Sequence, residues 1–103
     1  MITAAFRIGE YGIESVKVSG HADSGEYGKD IVCAAVSSAT IMVANTITDV
    51  LKVDCKINCK DGYLSIKLKE KSSIASDVLE GLRLHLTELS KEYSQYVTVT
   101  NEV

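Results

Sequence analysis

The sequence predicts an α+β fold in which two helices pack on a mainly antiparallel sheet, with the element order β-β-α-β-β-α-β. Three observations predict it. Apolar residues alternate with polar ones in several short segments, turn residues separate two pairs of these segments, and two helical stretches lie between them. A chain of 103 residues with 46% hydrophobic content is long enough for one core. We therefore expect one domain over residues 1–103.

The first predicted hairpin occupies the N-terminal part of the chain. Residues 2–8 place an apolar side chain at every second position, from Ile2 to Ile8. Residues 9–12 begin and end with glycine and supply a turn, and a second extended segment continues to about Ser19. These features predict the first two strands.

A second hairpin is predicted around the dipeptide Asp61-Gly62, which favours a two-residue turn. Alternating segments lie on both sides of this dipeptide, so the turn also fixes which residues face each other. The predicted pairs are Lys60 with Tyr63, Cys59 with Leu64, Ile57 with Ile66, and Cys55 with Leu68. We expect the last three pairs to share one buried face of the sheet.

Cys55 and Cys59 are therefore interpreted as core residues. Buried thiols beside leucine and isoleucine side chains behave as small hydrophobic groups. At about 3.3 Å per residue the two Cα atoms lie roughly 13 Å apart along the strand, which excludes a mutual disulfide and disfavours a zinc site. We expect no metal site and no other cofactor.

Residues 31–48 carry no charged side chain and predict the first helix. Serine, threonine and asparagine side chains interrupt its apolar positions, so we do not expect a membrane span. Its small residues favour close packing on several sides. We expect the sheet on one side and the second helix or a partner subunit on another.

The second helix is predicted after Ser72 and Ser73, either of which can cap it. Apolar residues recur there at three- and four-residue spacing, which is typical of a helix with one buried face. They are Ile74, Val78, Leu82, Leu86, Leu89 and Tyr93. Residues 96–100 alternate again and predict the last strand.

The residues with the clearest potential for chemistry are His21 and Cys33, at the two ends of a glycine-containing segment. Asp30 precedes the uncharged stretch and is the expected N-cap, which puts Cys33 at the third helical position. Unpaired backbone amides at a helix start stabilise a thiolate, and they also stabilise the oxyanion of an attacked carbonyl.

Several roles remain open for the residues around this thiol. His21 can exchange a proton with Cys33 if the two meet, or it can be a surface histidine at a strand end. Asp30 can cap the helix or orient the imidazole. Ser37 shares a helical face with Cys33 and can hydrogen-bond the site or simply pack. His85, on the flank of the second helix, is interpreted as structural.

The segment between His21 and the helix predicts a movable lid, because Gly25 and Gly28 give freedom to the chain around Tyr27. A phosphate-binding loop is excluded. The Walker pattern requires glycine and Ser or Thr where this chain has Asp23 and Asp30. Asp23 is interpreted as a solvated turn residue.

Composition and charge limit the partners and the compartment. A net charge of −3 and a sequence pI near 5.3 argue against direct binding of nucleic acid. The N-terminal residues lack the basic flank and long apolar run of a signal peptide. Three cysteines form no paired framework and fit a reducing compartment. We therefore expect a cytoplasmic protein.

The segment around these residues resembles the signature of a known family, the ribosomal-processing cysteine proteases called Prp. The resemblance is carried by Gly20-His21-Ala22, by Gly28, and by residues 30–37, which read DIVCAAVS. It covers the full length of the chain and the order of its elements. Because the motif is long and spaced, it is much more specific than an isolated cysteine and histidine.

The resemblance implies that His21 and Cys33 form the catalytic dyad and that Gly20, Asp30 and Ser37 occupy the family's other site positions. It implies an endopeptidase that removes a short N-terminal extension from large-subunit ribosomal protein twenty-seven, cutting after an aromatic residue. It also implies a homodimer.

Two other functions remain to be weighed against a cysteine endopeptidase. A noncatalytic ribosome-assembly module would bind the same precursor without cutting it. A thiol-based redox or acyl-transfer protein is disfavoured, because no Cys-x-x-Cys motif accompanies Cys33.

Overall fold

The computed structural model describes residues 1–20 and 27–103, with side chains for residues 1–20 and 31–103. Its elements follow the predicted order. They are β1 (Ile2–Gly9), β2 (Gly12–Ser19), α1 (Tyr27–Asn45), β3 (Cys55–Lys60), β4 (Tyr63–Leu68), α2 (Ser73–Glu92) and β5 (Val97–Glu102). A short π-helical segment, Thr46–Val50, continues α1.

The five strands form one sheet in the order β3-β4-β2-β1-β5. The neighbouring pairs are antiparallel except for β1 with β5, which is parallel. A parallel neighbour requires a long crossover, and the chain between these two strands includes both helices. The predicted α+β class with a mainly antiparallel sheet is confirmed.

The β3–β4 hairpin has the predicted register. Lys60 pairs with Tyr63 across the turn, and Cys59 pairs with Leu64. The remaining pairs, Ile57 with Ile66 and Cys55 with Leu68, also follow the prediction. The tight turn is enough to set this register, because both strands continue directly from it.

The predicted burial of this face is wrong for its outer strand. Ile66 on β4 is fully buried, but its partner Ile57 on β3 is 37% exposed and Cys59 is exposed. The physical reason is the position of β3 at the edge of the sheet, where the helical layer does not cover it completely. Cys55 is half-buried and packs against the core, as expected.

Helix α2 packs on the same face of the sheet and begins at the predicted cap. The hydroxyl oxygen of Ser72 accepts a hydrogen bond of 3.1 Å from the backbone amide of Ala75. The buried stripe differs from prediction at its start, because Ile74 is 61% exposed and Ala75 is buried in its place. Leu82 and Leu86 are buried as predicted.

Helix α1 is long and apolar enough to meet the length and composition criteria for a membrane span, over Ile31–Val50. The core helix of a soluble protein meets the same criteria. Here Val32, Val36 and Val43 are buried in the same core as the sheet and α2. Thr40 is also buried, and its hydroxyl donates a 2.7 Å hydrogen bond to the carbonyl of Val36. Core packing accounts for these apolar positions.

Candidate active site

A cleft of about 240 Å³ lies between α1, the end of β2 and the β3–β4 turn. Three of the residues predicted for the site line it: Gly20, Cys33 and Ser37. The other lining residues are Ile2, Val18, Val36, Thr40, Ile41, Cys59, Lys60, Asp61, Gly62, Tyr63 and Leu64. The cleft therefore combines two thiols, several hydroxyl groups and apolar walls.

Cys33 brings a thiol from α1 into this cleft. Its side chain is half-buried and packs partly against the hydrophobic core. Such packing holds the side chain in place, while the cleft leaves a route to the thiol. A thiol that is positioned and accessible is the first requirement of a cysteine nucleophile.

The predicted position of Cys33 within the helix is wrong. Helix α1 begins at Tyr27, so Asp30 is its fourth residue and Cys33 its seventh. The segment before Asp30 contains no proline to stop the helix and adds one turn to it. Asp30 therefore does not occupy the N-cap, and the unpaired amides of the helix start do not surround Cys33. The proposed oxyanion role of these amides loses its basis.

Ser37 lies one helical turn after Cys33, on the same side of α1. It is exposed and lines the same cleft as Cys33. Ile41 follows one turn later and extends this side of the cleft with an apolar wall. Together these residues form a stripe on α1 that faces the cleft.

Gly20 is required by the local geometry. Its φ is +105°, a conformation that other residues rarely adopt, and a Cβ at this position would overlap the carbonyl oxygen of Met1. Its amide donates a 3.0 Å hydrogen bond to the carbonyl of Gly62 in the β3–β4 turn. The residue before His21 is thereby fixed to the opposite wall of the cleft.

The β3–β4 turn is a part of the site that sequence reasoning missed. Residues 60–63 line the cleft opposite α1. The turn itself was predicted from Asp61-Gly62, but its position depends on the pairing of β2 with β4, which sets Ser19 opposite Tyr63. A pairing between strands separated by more than 40 residues leaves no local signal in the sequence.

His21, Asp23 and Gly25 lie outside the described residues. Of the other predicted lid residues, Tyr27 and Gly28 belong to the first turn of α1, so the helix begins within the segment predicted to be a loop. In the described part of the chain, His, Cys, Asp and Glu side chains form no group of three or more that could hold a metal.

The remaining cysteines differ from each other. All three cysteines of the chain are free. Burial, with a further contribution from the carboxylate of Asp54, raises the pKa of the Cys55 thiol. Cys59 is exposed and lines the same cleft as Cys33, which contradicts its predicted place in the core.

Sequence comparison finds relatives that match nearly the whole chain. The family model described as cysteine protease Prp matches residues 1–98. The ribosomal processing cysteine protease Prp of Staphylococcus aureus is 31% identical over 101 residues, which cover 94% of this chain and 95% of that protein.

Solved structures of the Staphylococcus aureus ribosomal processing protease Prp are similar to this chain over nearly its whole length. One, in complex with a substrate peptide, has a TM-score of 0.90 at 27% identity and covers 99% of this chain and 100% of that chain. Another, in complex with a covalently linked product peptide, has a TM-score of 0.88 at 28% identity, with the same coverage.

Proposed function

Because this chain belongs to the cysteine protease Prp family, we propose that it is the endopeptidase that removes the N-terminal extension of large-subunit ribosomal protein twenty-seven, using His21 and Cys33 as a dyad. The observation that carries the proposal is the cleft in which Cys33 is accessible beside Ser37 and Gly20. The same residues belong to the motif through which the sequence resembles the family.

The proposed reaction is an acyl transfer through Cys33. The thiol proton passes to the imidazole of His21, and the thiolate attacks the carbonyl carbon of the scissile bond. The C–N bond breaks, the imidazolium gives its proton to the leaving amine, and the acyl group remains on sulfur as a thioester. Water, deprotonated by the imidazole, then hydrolyses the thioester and restores the thiol.

Each of the other site residues has a supporting role in this proposed reaction. Gly20 fixes the chain from which His21 extends, through its hydrogen bond to Gly62. Ser37 supplies a hydroxyl on the Cys33 side of the cleft. Asp30 orients the imidazole, the alternative to capping that its position in the sequence allows. The part of the predicted lid that precedes α1, residues 22–26 with Gly25, closes over the bound peptide.

The proposed substrate is supported by the family resemblance and by the walls of the cleft, and the proposed location by the free thiols. One relative of known structure, the ribosomal processing protease Prp of Staphylococcus aureus, was crystallised with a substrate peptide. The apolar part of the cleft wall, which includes Ile41, Tyr63 and Leu64, suits an aromatic residue before the scissile bond. We place the protein in the cytoplasm, where free thiols persist, and propose no contact with nucleic acid.

We also propose that two copies pair through the outer faces of α1 and α2. A groove of about 660 Å³ runs between these helices and is lined mostly by small or apolar residues. They are Ala35, Ser38, Ala39, Met42, Val43, Thr46, Val78, Gly81, Leu82 and His85. Met42 is 62% exposed here, and the chain has no charged residue from Ile31 to Thr48, so an identical apolar face is a suitable partner.

The decisive experiment compares Cys33→Ser with Ala34→Ser on a synthetic precursor carrying the extension. Both place serine on adjacent positions of α1, but Ala34 does not line the cleft. We expect product masses for a single cut with wild type and Ala34→Ser, and at least a thousandfold loss with Cys33→Ser.

Two results would contradict the proposal. Undiminished cleavage by Cys33→Ser would exclude this thiol as the nucleophile. Stable binding of the precursor by wild type, with no product over hours, would instead support the noncatalytic assembly module.

A further inference from the structure

The outer edge of β3 ends at the candidate active site. Among the described residues, no strand pairs with this edge. Cys59, near its C-terminal end, lines the same cleft as Cys33. An unpaired strand edge presents a row of backbone donors and acceptors that an extended peptide can bind.

The hydrogen bonds of the hairpin show which backbone groups point outward. The carbonyl of Gly62 accepts from Gly20 on the β2 side, and the amide of Lys69 donates to the carbonyl of Asp54 on the β3 side. Backbone groups alternate in direction along a strand, so the odd-numbered residues of β4 face β3. Their partners in β3 are Lys56, Asn58 and Lys60. The amides and carbonyls of Cys55, Ile57 and Cys59 therefore point away from the sheet.

The same three residues present an apolar face. Their side chains lie on the helix side of the sheet, opposite Leu68, Ile66 and Leu64. This is the face that sequence reasoning expected to be buried, yet Ile57 is 37% exposed and Cys59 is exposed. The edge therefore combines free backbone groups with an uncovered apolar strip.

Resting on the proposed function, we propose that the substrate binds as an added strand along the outer edge of β3. The residues that precede the scissile bond belong to the extension, which the processed protein lacks, so we assign the added strand to them. These residues pair antiparallel with β3, the more stable of the two arrangements. Directly opposite residues share a face, so alternate substrate side chains lie against Ile57 and Cys59.

The test is a backbone scan of the precursor peptide. A single N-methyl group is placed in turn on each of the four residues before the scissile bond, which removes one amide donor at a time. We expect kcat/KM to fall at least tenfold at alternate positions and less than twofold at the positions between them. Replacing an apolar residue of the peptide by aspartate should lower kcat/KM at the same positions at which N-methylation lowers it.

A matched pair of enzyme variants tests the strand itself. Ile57→Asp places a charge on the apolar strip. Asn58→Asp places the same charge on the next residue of β3, whose side chain lies on the opposite face of the sheet. We expect Ile57→Asp to raise KM at least fivefold with kcat nearly unchanged, and Asn58→Asp to change neither by more than twofold. Urea denaturation of both variants verifies that they remain folded.

Binding measurements distinguish a failure of strand addition from a failure of the proposed peptidase function. Fluorescence anisotropy of the same peptides with Cys33→Ala reports pairing even if the wild type cuts nothing. Uniform sensitivity to N-methylation, no sensitivity, or equal effects of the two Asp variants would overturn strand addition. A change of oligomeric state in Ile57→Asp without a change in peptide binding would assign the edge to a second copy and also overturn it.

Discussion

The backbone amide of Gly20 and the carbonyl of Gly62 are joined by a hydrogen bond of 3.0 Å. This contact ties the end of β2 to the turn between β3 and β4. It fixes Gly20, the residue before His21, in the lining of the cleft, which Cys33 also lines. The geometry of the candidate site therefore depends on a glycine that makes no chemical contribution itself.

Replacing Gly20 by alanine should destabilise the fold and impair cleavage together. The positive φ of 105° costs a non-glycine residue about 1–3 kcal/mol, and the new Cβ would also meet the carbonyl of Met1. We expect a loss of at least about 2 kcal/mol in the free energy of unfolding, measured by urea denaturation, and a tenfold or larger loss of kcat/KM.

Gly9→Ala is the control for this prediction. It also adds one methyl group at a strand end, but that methyl would meet only the flexible end of the Glu14 side chain. We expect its unfolding free energy to stay within about 1 kcal/mol of wild type. Equal destabilisation by both substitutions would show that Gly20 has no special conformational role.

The sequence is sufficient to predict local relationships in this chain. The register of β3 with β4 follows from Asp61-Gly62, because a two-residue turn leaves one alignment of the adjoining strands. The cap at Ser72 is equally local, since its oxygen reaches an amide only three residues away. Both predictions are confirmed.

Relationships between distant segments could not be predicted in the same way. The exposure of Cys59 depends on β3 being the edge strand, which follows from the pairing of β2 with β4. The β3–β4 turn lies across the cleft from Cys33 for the same reason. The start of α1 could not be predicted either. Aspartate favours the N-cap position, but the helix begins at Tyr27, three residues before Asp30.

Removing the cap of α2 should lower stability without affecting the site. The Ser72 hydroxyl satisfies an amide that the helix itself leaves unpaired, so Ser72→Ala should cost about 1 kcal/mol. Ser73→Ala, the exposed first residue of the helix, is the matched control and should change the unfolding free energy by less than about 0.5 kcal/mol. Indistinguishable urea midpoints would contradict the capping role.

The thiol of Cys55 should react at higher pH than an unburied thiol. Burial, followed by the nearby Asp54 carboxylate, raises its pKa. The folded chain therefore holds this proton more tightly than the unfolded chain. The resulting stability is present below the ordinary thiol pKa of about 8.5 and is lost as the pH rises through the raised value.

Mass spectrometry of iodoacetamide alkylation at increasing pH can follow this thiol. A synthetic peptide of residues 52–58 carries the same cysteine without burial. We expect Cys55 in the folded protein to reach half its maximal alkylation rate at a higher pH than the peptide does. Coincident profiles would show that burial does not affect this thiol.

Peptide binding should protect residues 22–26, the part of the proposed lid that precedes α1, from hydrogen exchange. The measurement compares Cys33→Ala with and without an uncleaved precursor peptide. We expect at least tenfold slower exchange in this segment when peptide is bound and no change in the middle of α2, which does not line the cleft. Equal protection with and without peptide would contradict a lid.

Charging the groove between the helices should separate the proposed dimer. Met42 lines this groove and is 62% exposed in one chain, so Met42→Glu costs the isolated fold little but would place an unpaired charge inside the interface. We expect the dissociation constant, measured by analytical ultracentrifugation, to rise at least a hundredfold. Leu84→Glu provides the matched control. Leu84 is also 62% exposed but does not line the groove, so this variant should remain dimeric. If Leu84→Glu dissociates and Met42→Glu does not, the chains pair through a different face of α2.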